Sequence, residues 1–286
     1  MAIFEQAAVQ WLMSLKASTA LVKVAAFFIT WAALWLPLAV FIAIGLKWHP
    51  PKPLAAEQKL PLLAVLYLIA PLIVWGASWV DGVSFSEYGL GWSSSVLVPL
   101  GLGLSLSVLS VAIVFLGEWA LGWIEWHSEN WQRLGKLFLP VLLLGLWIGV
   151  TEELVFRGFL LNELQQDYPI WVAAVISSVI FALSHLIWEQ KNTLPQLPGL
   201  WLMGMVLVLA RWVNAGSLDL AWGLHTGWIW SLTCLDSAEL ISYTDKGPTW
   251  VTGFGKNPLA GVAGFLCLLG VGILLLFLLP DSVRIF

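Results

Sequence analysis

Long stretches of hydrophobic residues, broken by short polar connections, run along most of this 286-residue chain. Residues 24–46 contain no charge, and about 20 apolar residues in a helix suffice to cross the hydrocarbon core of a bilayer. The pattern predicts an all-α, polytopic membrane protein of about eight transmembrane helices. The predicted spans are 24–46, 60–80, 96–117, 137–163, 170–188, 197–213, 219–235 and 259–279.

The connections between these runs are short, and none is large enough for a separate soluble domain. We therefore predict a single integral membrane domain over residues 1–286. The first run is too long for the core of a signal peptide, and no small-residue cleavage site follows it, so we interpret it as a retained helix. The segment before it, residues 1–19, is predicted to contain a helix that lies along the membrane surface.

Composition supports this picture and excludes some functions. The chain is 60% hydrophobic and 10% charged, whereas a soluble domain has about 25% charged residues. The net charge of −4 is spread thinly, which leaves no electrostatic footprint for nucleic acid. Cys234 and Cys267 suggest neither a disulfide framework nor a metal site. The expected surroundings are membrane lipid, and no nucleic-acid partner is expected.

Three charges interrupt the fourth hydrophobic run, in the stretch TEELVFRGFLL. A charge at the centre of a bilayer costs about 2.5–3.5 kcal/mol, so these side chains need partners. Residues four apart share a helix face, and Glu153 can therefore pair with Arg157. Glu152 points elsewhere on the same helix. Its partner must come from another helix or from water.

Two further predicted helices each carry a histidine deep in an apolar run. His185 lies in the run at 170–188, one turn after Phe181, and His225 lies in the run at 219–235. A carboxylate and two histidines in a wet membrane cavity form an acid–base constellation. Buried Glu and His also mark proton relays, so a proton-coupled transporter is an alternative. Against the transporter, the sequence shows no internal repeat and no matching pair of broken helices.

Three motifs carry a resemblance to a known family. EELVFRG at 152–158 resembles the EExxxR signature of the CAAX-protease and bacteriocin-processing (CPBP) intramembrane peptidases. FALSH at 181–185 resembles the FxxxH signature of that family, and GLHTGWIW at 223–230 places His225 where the third motif has its histidine. The resemblance covers a motif core at about 137–235. The order of the motifs and the predicted count of eight helices agree with the family.

The resemblance implies an intramembrane endopeptidase that hydrolyses a peptide bond in a membrane-associated or lipidated protein. Glu152 is then expected to be the general base that activates water, with His185 as its partner in orienting or protonating that water. His225 is expected to donate to the oxyanion of the tetrahedral intermediate. The residues expected to support the site are Glu153, Arg157 and Phe181.

The chain departs from the family at one position. The third motif usually reads HxxxN, but here Ile229 stands four residues after His225 and cannot donate a hydrogen bond. Trp228, Thr226 or Ser231 are possible substitutes, because indole N–H groups and hydroxyls are donors. The alternative is a catalytically weak or silent membrane scaffold or immunity-type protein that binds a partner.

A metal is not expected. The sequence has no HExxH motif, and an adjacent pair of glutamates presents one side chain well to a single ion. Arg157 is also an unfavourable neighbour for a cation. The alternative is zinc bound by Glu152, Glu153, His185 and His225, since members of the family have been described both as metallopeptidases and as metal-independent glutamate peptidases.

Overall fold

The structure is a computed structural model that describes residues 10, 12–49, 54–91, 93–187 and 190–279, with residues 56 and 57 described by their backbone alone. The predicted surface helix within residues 1–19 lies largely outside the described residues. Within them, residues 12–16 are helical.

The described chain is built almost entirely from helices. They are α1 (Ala20–Gly45), α2 (Ala56–Asp81), α3 (Leu97–Ala120), α4 (Trp131–Glu152), α5 (Leu161–Asp167), α6 (Ile170–Ser184), α7 (Gln190–Thr193), α8 (Leu197–Val213), α9 (Asp219–Ser237), α10 (Thr249–Thr252) and α11 (Val262–Leu278). A π-helical segment, Glu153–Leu160, joins α4 to α5 without a break. Short 3₁₀ turns are Ser94–Val96, Ser128–Asn130, His185–Ile187, Leu194–Gln196, Phe254–Lys256 and Pro258–Ala260.

Six segments of the described chain are long and apolar enough to cross a membrane. They are Ala20–Gly45, Gln58–Asp81, Ser94–Ala120, Ser128–Asp167, Ile170–Ile187 and Gln190–Val213. The apolar helix α11 has 17 residues, and α9 has 19 residues with a more polar composition. The chain is thus an integral, multi-pass, all-α membrane protein, as the hydrophobic pattern predicted. The count of eight spans stays a prediction.

Two short strands interrupt the helical pattern. β1 (Ile124–Trp126) pairs antiparallel with β2 (Ile241–Tyr243), with Ile124 opposite Tyr243. The sequence analysis missed this pairing because a strand of three residues is too short to show a period-two pattern. The pairing ties the end of α3 to the end of α9.

Helices α3 and α9 pack at backbone contact through glycines. A Cβ atom at Gly103 would lie 2.4 Å from the carbonyl oxygen of Leu220, and one at Gly223 would lie 2.1 Å from that of Leu100. Gly223 and Gly227 form a GxxxG pattern, which lets membrane helices approach closely. This contact fixes α9, and with it His225, against α3.

A buried ion cluster joins α1 to α2 and α5. Lys23 on α1 lies 3.1 Å from the carboxylate of Asp81 and 3.0 Å from that of Glu163. Further along α1, the indole N–H groups of Trp31 and Trp35 donate to backbone carbonyl oxygens of α2, at 3.0 and 3.1 Å. These contacts hold α2 beside the central helices.

We expect Gly103→Ala to destabilise the protein, because the added methyl group meets the backbone of α9. Gly101→Ala is the matched control on the same helix, since a Cβ atom at Gly101 meets open space. Both substitutions favour the helix by about 1 kcal/mol. Thermal unfolding in detergent should therefore show a lower midpoint for Gly103→Ala and no decrease for Gly101→Ala. Equal midpoints would contradict the backbone contact.

Candidate active site

The π-helical segment begins at the residue after Glu152, and all eight of its side chains are buried. The sequence analysis assumed α-helical geometry here, and that assumption was wrong. The i→i+5 bonds of a π-helix widen the turn. Glu153 and Arg157 nevertheless pair, with Nη1 of Arg157 2.8 Å from Oε1 of Glu153 and both side chains fully buried.

Two further neighbours stabilise the buried charge of Arg157, and a third contacts its backbone. Its Nη2 donates to the carbonyl oxygen of Gly204 at 3.3 Å. Its Cζ lies 4.2 Å from the ring centroid of Phe181, a distance at which a guanidinium is attracted to an aromatic face. Arg211 donates to the backbone carbonyl of Arg157. Phe181 therefore contacts the ion pair that it was expected to support.

His225 bridges the two adjacent glutamates. Its Nδ1 lies 2.8 Å from Oε1 of Glu153, and its Nε2 lies 3.6 Å from Oε2 of Glu152. A carboxylate oxygen accepts, so Nδ1 of His225 carries the hydrogen. The bond fixes the imidazole with Nε2 directed toward Glu152.

Glu152 receives its partner from α2. The hydroxyl of Tyr67 donates to Oε1 of Glu152, whereas Oε2 of Glu152 has no hydrogen-bond partner among the described residues. The sequence analysis required a partner from another helix but did not name Tyr67. A signal existed, because Tyr67 alone of the four tyrosines lies in the middle of a predicted span.

His185 lies at the end of α6, where the helix tightens into a 3₁₀ turn. Its Nδ1 lies 2.9 Å from the carbonyl oxygen of Phe181. A carbonyl oxygen accepts, so Nδ1 carries the hydrogen and the neutral ring keeps a lone pair on Nε2. His185 therefore offers Nε2 as an acceptor.

Two apolar cavities meet at these groups. The first, of about 440 Å³, lies between α3, α8, α9 and α11, and His225 and Ile229 form part of its wall. The second, of about 480 Å³, lies between α1, α2 and α6. Within the described chain, the residues that line both are Tyr67, Glu152 and His185. We call these three residues the junction. The structure thus brings Glu152, His185 and His225 to one cavity.

The structure does not support the three proposed substitutes for the missing donor. The indole N–H of Trp228 donates to Ser110 at 3.1 Å, and the hydroxyl of Thr226 donates to the carbonyl oxygen of Gly145 at 3.3 Å. The hydroxyl of Ser231 donates to the carbonyl oxygen of its own helix, four residues back, at 2.5 Å. Each hydrogen satisfies a nearby acceptor instead of pointing into the cavity.

The side chains at the site do not fit a metal ion. Zinc takes three or four ligands at about 2.0–2.3 Å. Over residues 10, 12–49, 54–91, 93–187 and 190–279, no group of three or more His, Cys, Asp or Glu side chains is placed to hold one. Glu153 is already bonded to Arg157 and His225.

Comparison with known proteins relates this site to a family. The profile of the Rce1-like family, described as type II CAAX prenyl endopeptidase Rce1-like, matches residues 134–231. The matched region contains both glutamates, Arg157 and both histidines of the site. Residues 134–231 belong to the CAAX protease family. The family resemblance of the three motifs is thereby confirmed.

The similarity to other proteins is confined to part of the chain. An uncharacterized 24.3 kDa protein of Escherichia coli is 31% identical over 91 residues, which are 31% of this chain and 40% of that protein. The chain thus matches less than half the length of this curated relative. No solved structure matches it significantly. The region matched by the family profile holds the charged site, while Tyr67 lies outside it.

We expect Arg157→Met to destabilise the protein strongly, because it leaves Glu153 buried without its cation. Breaking a buried ion pair costs about 3–5 kcal/mol. Arg133 and Glu239 form a pair of the same 2.8 Å length that is exposed to solvent. Arg133→Met is the matched control and should cost less than about 1 kcal/mol. Denaturant unfolding in micelles measures both, and similar losses would contradict the assignment.

Proposed function

We propose that this protein is an intramembrane endopeptidase that hydrolyses a peptide bond in a membrane-associated or lipidated protein, with Glu152 as the general base. The observation that carries the proposal is Oε2 of Glu152. It is a buried carboxylate oxygen without a hydrogen-bond partner in the described chain, at the point where two apolar cavities meet. The match to the CAAX prenyl endopeptidase family supports the same chemistry.

The cavities suit an apolar or lipidated peptide. Each volume falls within the range of about 300–1,000 Å³ that is typical of ligand pockets, and each wall is mostly aliphatic and aromatic. A chain with one part in each cavity would place a peptide carbonyl at the junction. The scissile bond would then lie beside the polar groups, with its apolar neighbours in the two cavities.

The reaction follows from the acceptors at the junction. A water molecule donates one hydrogen to Oε2 of Glu152 and the other to Nε2 of His185. As the water oxygen bonds to the carbonyl carbon, its proton moves to Glu152 and the π pair moves onto the carbonyl oxygen. Glu152 then gives the proton to the amide nitrogen, the oxyanion pair re-forms the carbonyl bond, and the C–N bond breaks with its electron pair on nitrogen. The products are a carboxyl terminus and an amine.

Glu153 and His225 assist without touching the attacking water. Glu153 fixes the imidazole of His225 through the 2.8 Å bond at Nδ1. In its protonated form, His225 donates through both nitrogens, with Nδ1 directed to Glu153 and Nε2 to the oxyanion. Arg157 holds Glu153 in place through the bond at 2.8 Å. Glu153 and Arg157 are therefore positioning residues.

A second candidate is a catalytically silent membrane protein that binds a partner in the same cavities. Ile229 favours it, because this position in the cavity wall carries no donor. A wild-type protein that binds a lipidated peptide with no cleavage would support the silent binder. Proton flux into liposomes without cleavage would instead support the transporter.

Glu152→Gln should lower the rate of cleavage strongly and leave folding intact, because the amide keeps the shape of the side chain but cannot take a proton. We expect a loss of about 10²–10⁴-fold in kcat, measured by mass spectrometry of lipidated peptides incubated with protein in nanodiscs. Glu118→Gln is the matched control, since Glu118 is also a buried carboxylate with an unpartnered oxygen but lies outside both cavities. Full activity of Glu152→Gln would refute Glu152 as the base.

We also expect cleavage to persist after treatment with a zinc chelator, because the donors at the site do not form a zinc set. The rate of peptide cleavage should be the same before and after dialysis against the chelator. Loss of the rate on chelation and its return on adding zinc would show that a metal takes part.

A further inference from the structure

Tyr67 belongs to none of the sequence motifs, yet its hydroxyl lies at the centre of the site. Tyr67 is on α2, 85 residues before Glu152, and its hydroxyl donates to Oε1 of that carboxylate. The Tyr67 ring lies against Trp147 on α4, with ring centroids 6.1 Å apart. One residue before it, the backbone carbonyl of Leu66 accepts the indole N–H of Trp31. The phenol is therefore held from both sides.

Tyr67 is also the neutral donor that faces both cavities within the described chain. At the junction, the Nδ1–H of His185 donates to the carbonyl oxygen of Phe181, and Glu152 accepts a hydrogen bond from Tyr67. Thr193 and Gln196 line the first cavity but not the second, and the amide of Gln196 donates to a backbone carbonyl. One turn after His225, the residue that lines the first cavity is Ile229, whose aliphatic side chain has no hydrogen to donate.

We propose that Tyr67 is a catalytic residue whose O–H donates to the oxyanion formed during peptide hydrolysis. The inference rests on the proposed endopeptidase function and assigns a second oxyanion donor, in addition to His225, to α2, outside the region matched by the family profile. It also explains how the site works with an aliphatic side chain at Ile229.

The physical reason is the movement of negative charge. Before the reaction the charge is on Glu152, and the phenol donates to it. When the water proton reaches Oε2, Glu152 becomes neutral and the charge appears on the former carbonyl oxygen. Hydrogen bonds to an ionised acceptor are about twice as strong as those between neutral groups. The O–H of Tyr67 therefore turns from Glu152 to the oxyanion, and Tyr67 keeps its proton throughout.

The test combines Tyr67→Phe with Ile229→Asn. Tyr67→Phe should lower kcat by about 10²–10³-fold with little change in KM, since a transition-state donor is lost. Ile229→Asn places an amide donor on the same wall, and in the Tyr67→Phe background it should restore kcat by at least about tenfold. Tyr88→Phe is the matched control and should have wild-type activity, because the buried hydroxyl of Tyr88 has no partner among the described residues and lies outside both cavities.

The outcomes separate this inference from the proposed function. Loss of cleavage in Glu152→Gln together with full kcat in Tyr67→Phe would overturn the role of Tyr67 and leave the endopeptidase intact. So would a loss in Tyr67→Phe that changes the pH dependence of kcat/KM and is not rescued by Ile229→Asn, since Tyr67 would then be a positioning residue for Glu152. Absence of cleavage by the wild-type protein, or cleavage unchanged in Glu152→Gln, would overturn both.

A second measurement covers the case in which Tyr67→Phe does not fold. Replacing Tyr67 by 3-fluorotyrosine keeps the shape of the ring and makes its O–H a stronger donor. We expect kcat to change while the unfolding midpoint stays the same. An unchanged kcat would overturn the proposal.

Discussion

The ion pair between Glu153 and Arg157 is the interaction on which the site depends. Both side chains are fully buried in a membrane protein, where an unpaired charge is expensive. Oε1 of Glu153 accepts from Arg157 and from His225, so the charge of Glu153 is already compensated. Glu152, one residue earlier, has a neutral donor on Oε1, no described hydrogen-bond partner on Oε2, and a place in the walls of both cavities. The pair thus makes two chemically identical neighbours different, one structural and one available for reaction.

The change from α- to π-helix explains how adjacent glutamates acquire different surroundings. The π-helical segment begins directly after Glu152, and its wider turns offer backbone carbonyls to outside donors. The hydroxyl of Ser177 donates to the carbonyl oxygen of Phe156 at 2.9 Å, and Arg211 donates to that of Arg157. Helices α6 and α8 therefore stabilise an otherwise unfavourable conformation, and the same two helices carry the groups that surround the ion pair.

The sequence predicted those features that a residue's own transfer into the bilayer decides, because the free energy of that transfer is large. Long apolar runs indicated the helices, and the lone ionisable groups within them indicated Glu152, His185 and His225, because each is expensive in a bilayer. Tyr67 gave a weaker signal, since a neutral phenol is tolerated there. The π-helical segment and the hydrogen-bond directions of Trp228, Thr226 and Ser231 were not predictable, because neighbours distant in sequence decide them. The three-residue strands were too short to produce a pattern.

The two cavities are bounded by helices that pack in different ways. In the first cavity, α9 is fixed against α3 by glycines at backbone contact, so His225 has little freedom to move. The second cavity is bounded by α1, which contacts α2 and α5 through the side chains of Trp31, Trp35 and Lys23. In the proposed reaction, the geometric demands therefore fall on α9 and the π-helical segment, where Glu153 holds His225 through the bond at 2.8 Å.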